Sequence, residues 1–595
     1  MKFLISLIIT LYSFSAVMAQ KHDFNWVVGF NDILPADSMY GPAILSFDTQ
    51  DGNPSIVYSS KFINKTAYFS SMISNKEGEF RYHFDGKTVE SRFHKYVGQY
   101  EVICPKSDCG LARQMSLMLP DYSNDSNYSL FTGLWDVIND PRPGVFEGYA
   151  FFYNLRNVLI EEKLATIRLV KNEVFINDST TAGMLAACKH ANGRDWWILI
   201  PRSQSKQFYT ILYSGNKIQK IFLQTIERFT DYSVGSAFFS SDGNYFALGT
   251  KYFDNWDTNG RVEFYHFDRC TGLLSNRQAE TFPDFSDGRG SGGCFSPDSR
   301  YLYTSNDDFI YQYSIEKGRL SKPTTIARSD GVITRVTDSF HLEPKFGEMQ
   351  RGPDGRIYIL YSMRPSRFYH TIEKPNMALG RSDFRIRKIR LFTVIWAMPI
   401  FPHFRLGPID GSVCDSLGID NVPWAWWRYD QDTGRYRCFE FVDLSAYIPS
   451  ESAPEWYWDL GDGTQSRDTS PVHCYQRDGI YEVCLIVKNK YGADTLCRTL
   501  RVGTTSTDDQ GKAVISTELF PNPAADHFVL NVHDYLPESM YLHLVNSQGQ
   551  TVLRHRVYQG SNVIELQDLT SGLYSALIYE RGILMKTEKL AVVRE

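Results

Sequence analysis

The stretch that decides the fold is Cys294-Phe295-Ser296-Pro297-Asp298-Ser299-Arg300-Tyr301-Leu302-Tyr303-Thr304. It reads as strand, tight turn, strand. Phe295 closes one apolar run, Pro297 and Asp298 supply the turn, and Tyr301, Leu302 and Tyr303 restart a β pattern. The same pattern returns at Phe238-Phe239-Ser240-Ser241-Asp242-Gly243-Asn244-Tyr245-Phe246-Ala247 and at Gly352-Pro353-Asp354-Gly355-Arg356-Ile357-Tyr358-Ile359. Looser copies stand at His190-Ala191-Asn192-Gly193-Arg194-Asp195-Trp196-Trp197-Ile198 and Ile73-Ser74-Asn75-Lys76-Glu77-Gly78-Glu79-Phe80. A four-stranded unit recurring roughly every 50 residues predicts a β-propeller, in which each blade buries its faces against its neighbours. Over residues 20–408 that period predicts about seven blades, with six or eight as the alternatives.

Composition agrees with an all-β chain. Of 595 residues, 36 are Tyr and 39 Phe, an aromatic content that favours sheets. The net charge of −6 leaves no basic footprint for nucleic acid. The basic run from Arg381 to Arg390 alternates with apolar residues and reads as the solvated face of an edge strand. At the other end of the chain, Lys2, an apolar run from Phe3 to Val17 and Met18-Ala19-Gln20 read as a signal peptide over residues 1–19. Ser6, Thr10, Ser13 and Ser15 dilute that run, which falls short of the roughly 20 residues a membrane span requires. No later segment is long and apolar enough to cross a bilayer, so no transmembrane segment is expected.

Ten cysteines fit an oxidising compartment. Cys104 and Cys109 lie close enough in sequence to close a small loop. Cys188, Cys270 and Cys294 fall in the propeller region, and Cys414, Cys438, Cys474, Cys484 and Cys497 in the module after it. Both groups are odd if Cys104 pairs with Cys109, and the connectivity stays open. The double CxxC spacing of a zinc site is missing.

Five motifs, in order, carry a resemblance. His190–Trp197, Phe239–Gly243, Phe267–Gly272, Phe295–Ser299 and Gly352–Tyr358 resemble the successive strands and turns of a propeller region in large secreted proteins of the Bacteroidetes. Pro375-Asn376 and Pro399-Ile400-Phe401 match later motifs of that family. The resemblance covers about two-thirds of the chain and implies a fold, not an activity.

Two smaller modules follow. Over 409–505, Glu455-Trp456-Tyr457-Trp458-Asp459-Leu460-Gly461-Asp462-Gly463-Thr464, then Pro471-Val472-His473-Cys474-Tyr475 and Gly479-Ile480-Tyr481-Glu482-Val483, make a short immunoglobulin-like sandwich. This stretch resembles a PKD domain. Asp459, Asp462 and Asp468 leave calcium open as a ligand of hard oxygens, though hydrogen bonding of Asp459 and Asp462 to their own turn is the preferred reading. No other cofactor is expected. A polar linker, 506–514, leads to 515–595. There Phe520-Pro521-Asn522-Pro523, the turn Asn546-Ser547-Gln548-Gly549 and Leu569-Thr570-Ser571-Gly572-Leu573-Tyr574 resemble the C-terminal sorting domain of the type IX secretion system. That resemblance implies the secretion machinery as a partner, and the cell surface or the extracellular medium as the destination.

Catalytic signatures are lacking. There is no Gly-x-Ser-x-Gly elbow, His-Glu-x-x-His or P-loop, and the Gly-rich stretch 288–293 is not followed by a helical pattern. His190, Asp195 and Trp196 sit on a repeated turn and read as blade packing. Candidate ligand contacts are Trp256, in the polar and aromatic stretch 252–260, and Trp424, Trp426 and Trp427 at the junction of propeller and PKD domain. The expectation is a non-enzymatic surface protein binding polysaccharide or a surface-protein ligand. A surface hydrolase with a propeller active site and a structural component of a surface complex are the alternatives.

Overall fold

The computed structural model describes residues 20–594 with gaps, the longest at 30–41, 63–70, 100–115, 139–148, 228–234, 252–259, 283–291 and 504–515. The signal-peptide reading, Cys104, Cys109, Trp256 and the linker therefore lie outside the described residues. Within them every regular element is a strand.

Between residues 25 and 395, seven antiparallel sheets of three to five strands succeed one another along the chain, with a two-stranded sheet of Thr334–Arg335 and His341–Leu342 between the sixth and the seventh. Their first strands are Asn25–Val28, Ser71–Ser74, Ser116–Pro120, Ala186–Lys189, Gly235–Phe239, Gly292–Phe295 and Glu348–Arg351. In each sheet the first three strands pair in chain order as hairpins; in the third, Thr180–Thr181 also pairs back on Tyr149–Lys163, and in the sixth, Thr324–Arg328 pairs back on Phe309–Glu316. The first strands of sheets one and two, two and three, four and five, five and six, and six and seven lie side by side. The seventh sheet packs on the first, with Tyr358 against Trp26 (5.0 Å) and against Phe47 (5.8 Å).

The five motif copies all fall at the same place, the turn from the first strand of a sheet to its second, and all close in the same way. The residue before the turn donates its N–H across it: Asn75 to Glu79, His190 to Asp195, Ser240 to Tyr245, Ser296 to Tyr301 and Gly352 to Arg356, at 2.8–2.9 Å. A second N–H, from Gly78, Gly193, Gly243, Ser299 or Gly355, closes the tight loop at 3.0 Å. Those five residues have positive φ, which explains why four are glycine. In the two serine copies the side chain of Ser240 or Ser296 donates to Asp242 or Asp298 and accepts the N–H of Tyr245 or Tyr301. Local side-chain chemistry thus fixes the turn, and the turn fixes the register of the strands on either side.

Strand alternation then divides the buried rings between neighbours. Trp196 enters the large core that also holds Trp26, Tyr82 and Tyr358, whereas Trp197 enters the core shared with Phe246 and Tyr265. The basic run lies on Phe384–Ile395, the outermost strand of the seventh sheet, where Arg385, Lys388 and Arg390 are exposed.

Two sheets follow, one of Trp427–Gln431, Cys438–Asp443 and Val472–Cys474, the other built on Glu455–Asp459, Gly479–Asn489 and Gly492–Val502. They enclose a core of Trp427, Phe441, Trp458, Val483 and Leu485. Disulfides join Cys438 to Cys474 and Cys484 to Cys497. The odd cysteine counts have a physical cause: Cys270 of the fifth sheet's last turn pairs with Cys414, 144 residues on. Cys188 and Cys294 remain free thiols. A final pair of sheets, from Ser516–Phe520 to Ile583–Val592, has its own core around Phe528, Leu542, Tyr574 and Ile578.

Candidate functional site

Three places bring functional groups together. The first is where the first strands of the sheets meet the chain that follows the seventh. After the seventh sheet the chain crosses the first strands as a strap, residues 398–408. The Met398 N–H donates to Glu348 Oε2 (2.9 Å) and the Phe401 N–H to Gln350 Oε1 (3.1 Å). His403 donates from Nδ1 to the Ser241 carbonyl (2.7 Å). Arg405 grips both oxygens of Asp23 at 2.6 and 2.7 Å, a bidentate geometry that suits a buried pair. Phe401 and Phe404 insert against Trp26 (6.1 Å) and Trp196 (5.8 Å). A Cβ at Gly193 would fall 2.6 Å from Pro408, so the strap also requires glycine in the fourth sheet's turn. A cavity of about 80 Å³ remains between the strap and the first strands of the third to seventh sheets.

The second place is the junction with the following domain. Arg356, from the seventh sheet's turn, meets Asp354 (2.8 Å), Glu373 (2.7 Å) and, across the junction, Asp430 (2.9 Å). Burial works against this guanidinium, but Asp354 and Glu373 outweigh it and hold Arg356 above its usual value. Arg428 donates to the Asp354 carbonyl at 2.9 Å, and burial beside Arg356 pushes it down to about 10. Lys374 pairs with Glu440 at 2.8 Å.

The junction tryptophans are part of this packing. Trp427 is fully buried, its Nε1–H on the Leu496 carbonyl and its ring against Trp458 (5.4 Å). Trp426 is buried with Trp424 stacked on it at 5.2 Å and the Arg498 guanidinium over it at 4.3 Å. Trp426 and Trp427, expected from the sequence as ligand contacts, are both buried in this packing. Trp424 is half-buried and keeps some ring surface.

The third place, missed in the sequence, is a cleft of about 150 Å³ between the third and fourth sheets, lined by Asp121, Tyr122, Arg194, Asp195, Trp196 and Asn216 among others. Tyr122 stacks on Trp196 at 6.4 Å, with the Lys189 ammonium over both rings. Burial works against the Asp195 carboxylate, yet the Arg194, Ser214 and Asn192 donors outweigh it and hold the group below its ordinary value. The sequence signal for this cleft was the His190–Trp197 motif, whose turn the structure confirms as local: Asn192 Nδ2 donates to Asp195 Oδ2 at 2.7 Å. What that motif does not reveal is Tyr122, brought from a different sheet.

In the immunoglobulin-like sandwich, Asp459 and Asp462 accept the N–H of Gly461 and Thr464, both at 3.0 Å, and the second Asp462 oxygen faces His473 Nε2 at 2.8 Å. Asp468 receives the Ser466 hydroxyl. These carboxylates hold their own turns.

Comparison with known proteins resolves the two C-terminal modules. Residues 437–503 match the PKD domain model, and residues 518–593 match the model of the secretion system C-terminal sorting domain. A 44-residue stretch is 46% identical to collagenase ColQ1 of Bacillus cereus (strain Q1), covering 7% of this chain and 5% of the collagenase. The PKD1 domain of Vibrio anguillarum Epp is matched over 100% of its length and 14% of this chain, with 26% identity and a TM-score of 0.13. A functionally unknown protein from Desulfotomaculum acetoxidans DSM 771 is matched over 100% of its length and 63% of this chain, with 13% identity and a TM-score of 0.34. At those scores neither structural likeness carries an argument about the whole chain. Among the described residues no helix is long and apolar enough to cross a membrane. Residues 437–503 are thus a PKD domain, residues 518–593 are a C-terminal sorting domain, and the chain is exported by the type IX secretion system to the cell surface or the extracellular space.

Proposed function

We propose that the seven sheets close into a seven-bladed β-propeller and that the chain is a surface binding protein for polysaccharide. The side-by-side first strands and the packing of Tyr358 on Trp26 and Phe47 support the ring. The motif resemblance to secreted Bacteroidetes proteins belongs to the same reading. The observation that carries the binding role is the cleft between the third and fourth sheets. It sets the half-buried Tyr122 ring, backed by the buried Trp196, beside carboxylates, a guanidinium and an amide, the mixture that recognises rings bearing hydroxyl groups. The strap fills much of the axis, so the cleft and the half-buried Trp424 are better placed for a ligand than the centre of the ring.

The test is a polysaccharide and glycan array probed with the chain lacking its sorting domain, read for binding and for released product. Binding without turnover is expected. Tyr122→Ala and Arg194→Ala weaken it by roughly tenfold or more, as removal of an anchoring contact does, and Trp256→Ala and Trp424→Ala report whether those rings contribute. Released oligosaccharide overturns the binding reading in favour of a hydrolase. Silence on both readouts overturns the polysaccharide reading and points to a protein ligand.

A further inference from the structure

The region where the strap crosses the first strands carries more positive than negative charge. Arg405 is neutralised by Asp23, which engages it with both oxygens. Among the described residues Arg351 has no carboxylate within ion-pair distance. Its Nη1 donates to the Ser241 hydroxyl, and its side chain lines the cavity of about 80 Å³ under the strap. Around it, Lys189 donates to the Gln20 amide oxygen (2.6 Å), and Arg269 donates to the carbonyls of Lys189, His190 and Gly407. The remaining acid on the cavity wall is Glu348, whose Oε2 accepts the Met398 N–H. Asp242, nearer Arg269, is engaged in its own turn by Ser240 and Asn244.

The titrating groups register this field. Burial first, then Arg351 and Arg405, press His403 well below its ordinary value, and burial with Arg269 and Arg405 does the same to Lys189. Burial brings Arg351 itself down to about 10. Because His403 is neutral and donates from Nδ1 to Ser241, the imidazole adds no compensating negative charge. Arg351 is half-buried and faces the cavity beside these further cations, with Asp23 committed to Arg405, so the local field favours an anion. A water needs only ~10–15 Å³ of such space, so the cavity has room for one small ion.

We infer that the cavity under the strap is a binding site for a small monovalent anion, a halide or a carboxylate no larger than acetate, held by Arg351 with the Ser241 hydroxyl beside it. The anion stands in for the carboxylate that Arg351 lacks, and it sits where the strap meets the fifth, sixth and seventh sheets. Gluconate, a six-carbon chain, is too large for the cavity.

Crystals of the exported chain soaked in sodium bromide test this directly. Anomalous scattering at the bromine edge is expected to give a peak within hydrogen-bonding distance of the Arg351 guanidinium. In solution, replacing gluconate by chloride at constant ionic strength is expected to raise the unfolding temperature saturably by about 2 °C, and Arg351→Gln removes that dependence. No bromine peak beside Arg351 at molar bromide overturns the inference, as does an equal chloride response in the wild type and Arg351→Gln. The bromide soak uses the wild-type chain and stands even if the variant fails to fold.

Discussion

The PKD domain and the sorting domain are both small β-sandwiches, yet they are attached to the body in opposite ways. The PKD domain shares the body's core: Trp426 belongs to the same cluster as Trp26 and Tyr358, and Trp424, Leu444 and Leu496 pack against it. Arg356 then ties the two units, pairing with the buried Asp354 on one side and the half-buried Asp430 on the other. The sorting domain instead closes a core entirely from its own residues, between Leu519 and Val592. Similar sandwiches therefore serve different ends, one as a fixed part of the body and the other as a self-contained address.

The largest expected break in this contrast is at Arg356. Arg356→Ala leaves Asp354 and Glu373 buried without their partner, a loss of about 3–5 kcal/mol. In calorimetry the PKD transition should separate from that of the body. A single unshifted transition would show that the junction contributes nothing. Trp426→Ala comes next, at about 3 kcal/mol for a truncated buried ring, and should destabilise the body and the PKD domain together. The corresponding change in the sorting domain, Phe528→Ala, should unfold that domain alone.

A finer probe is Asp443 in the PKD domain, whose carboxyl is raised from 3.8 to about 6 by burial, despite bonds from Ser445 and the Trp456 indole. The unfolded carboxyl releases its proton near 4 while the folded one keeps it to about 6, so folding takes up a proton in between. Stability contributed by this group is greatest below pH 4, falls as pH rises towards 6, and is level above that, by about 1–3 kcal/mol in all. Asp443→Asn should flatten that slope in denaturant titrations across pH 4–7, and an unchanged slope would assign it to other groups. The smallest effect is expected from cutting the chain in 504–515. Removing the sorting domain should shift the unfolding of the remainder by no more than about 0.5 kcal/mol.

Legibility in the sequence followed the range of the interactions. The five turns could be read because Ser240, Asp242, Ser296, Asp298 and the glycines bond within five residues of themselves. The strap could not. Residues 398–408 have neither a two-residue nor a helical period, and Arg405 finds Asp23 at a separation of 382 residues. Arg356 was visible as the end of a Gly-Pro-Asp-Gly turn, but its role as a hub depends on Asp430, 74 residues later. The junction tryptophans were picked out as rings, and composition alone does not distinguish a ring that faces a ligand from one that faces a neighbouring domain.

The Cys270–Cys414 bond has a consequence for survival outside the cell. It encloses the sixth and seventh sheets and the strap in one covalent loop. A peptidase that cuts anywhere between those two cysteines makes two chains that stay joined. On a gel the nick would be visible only after reduction, and the PKD and sorting domains would remain tethered to the first five sheets. In surroundings rich in proteases, the loop turns a cut that would shed half the molecule into a scar that it can carry.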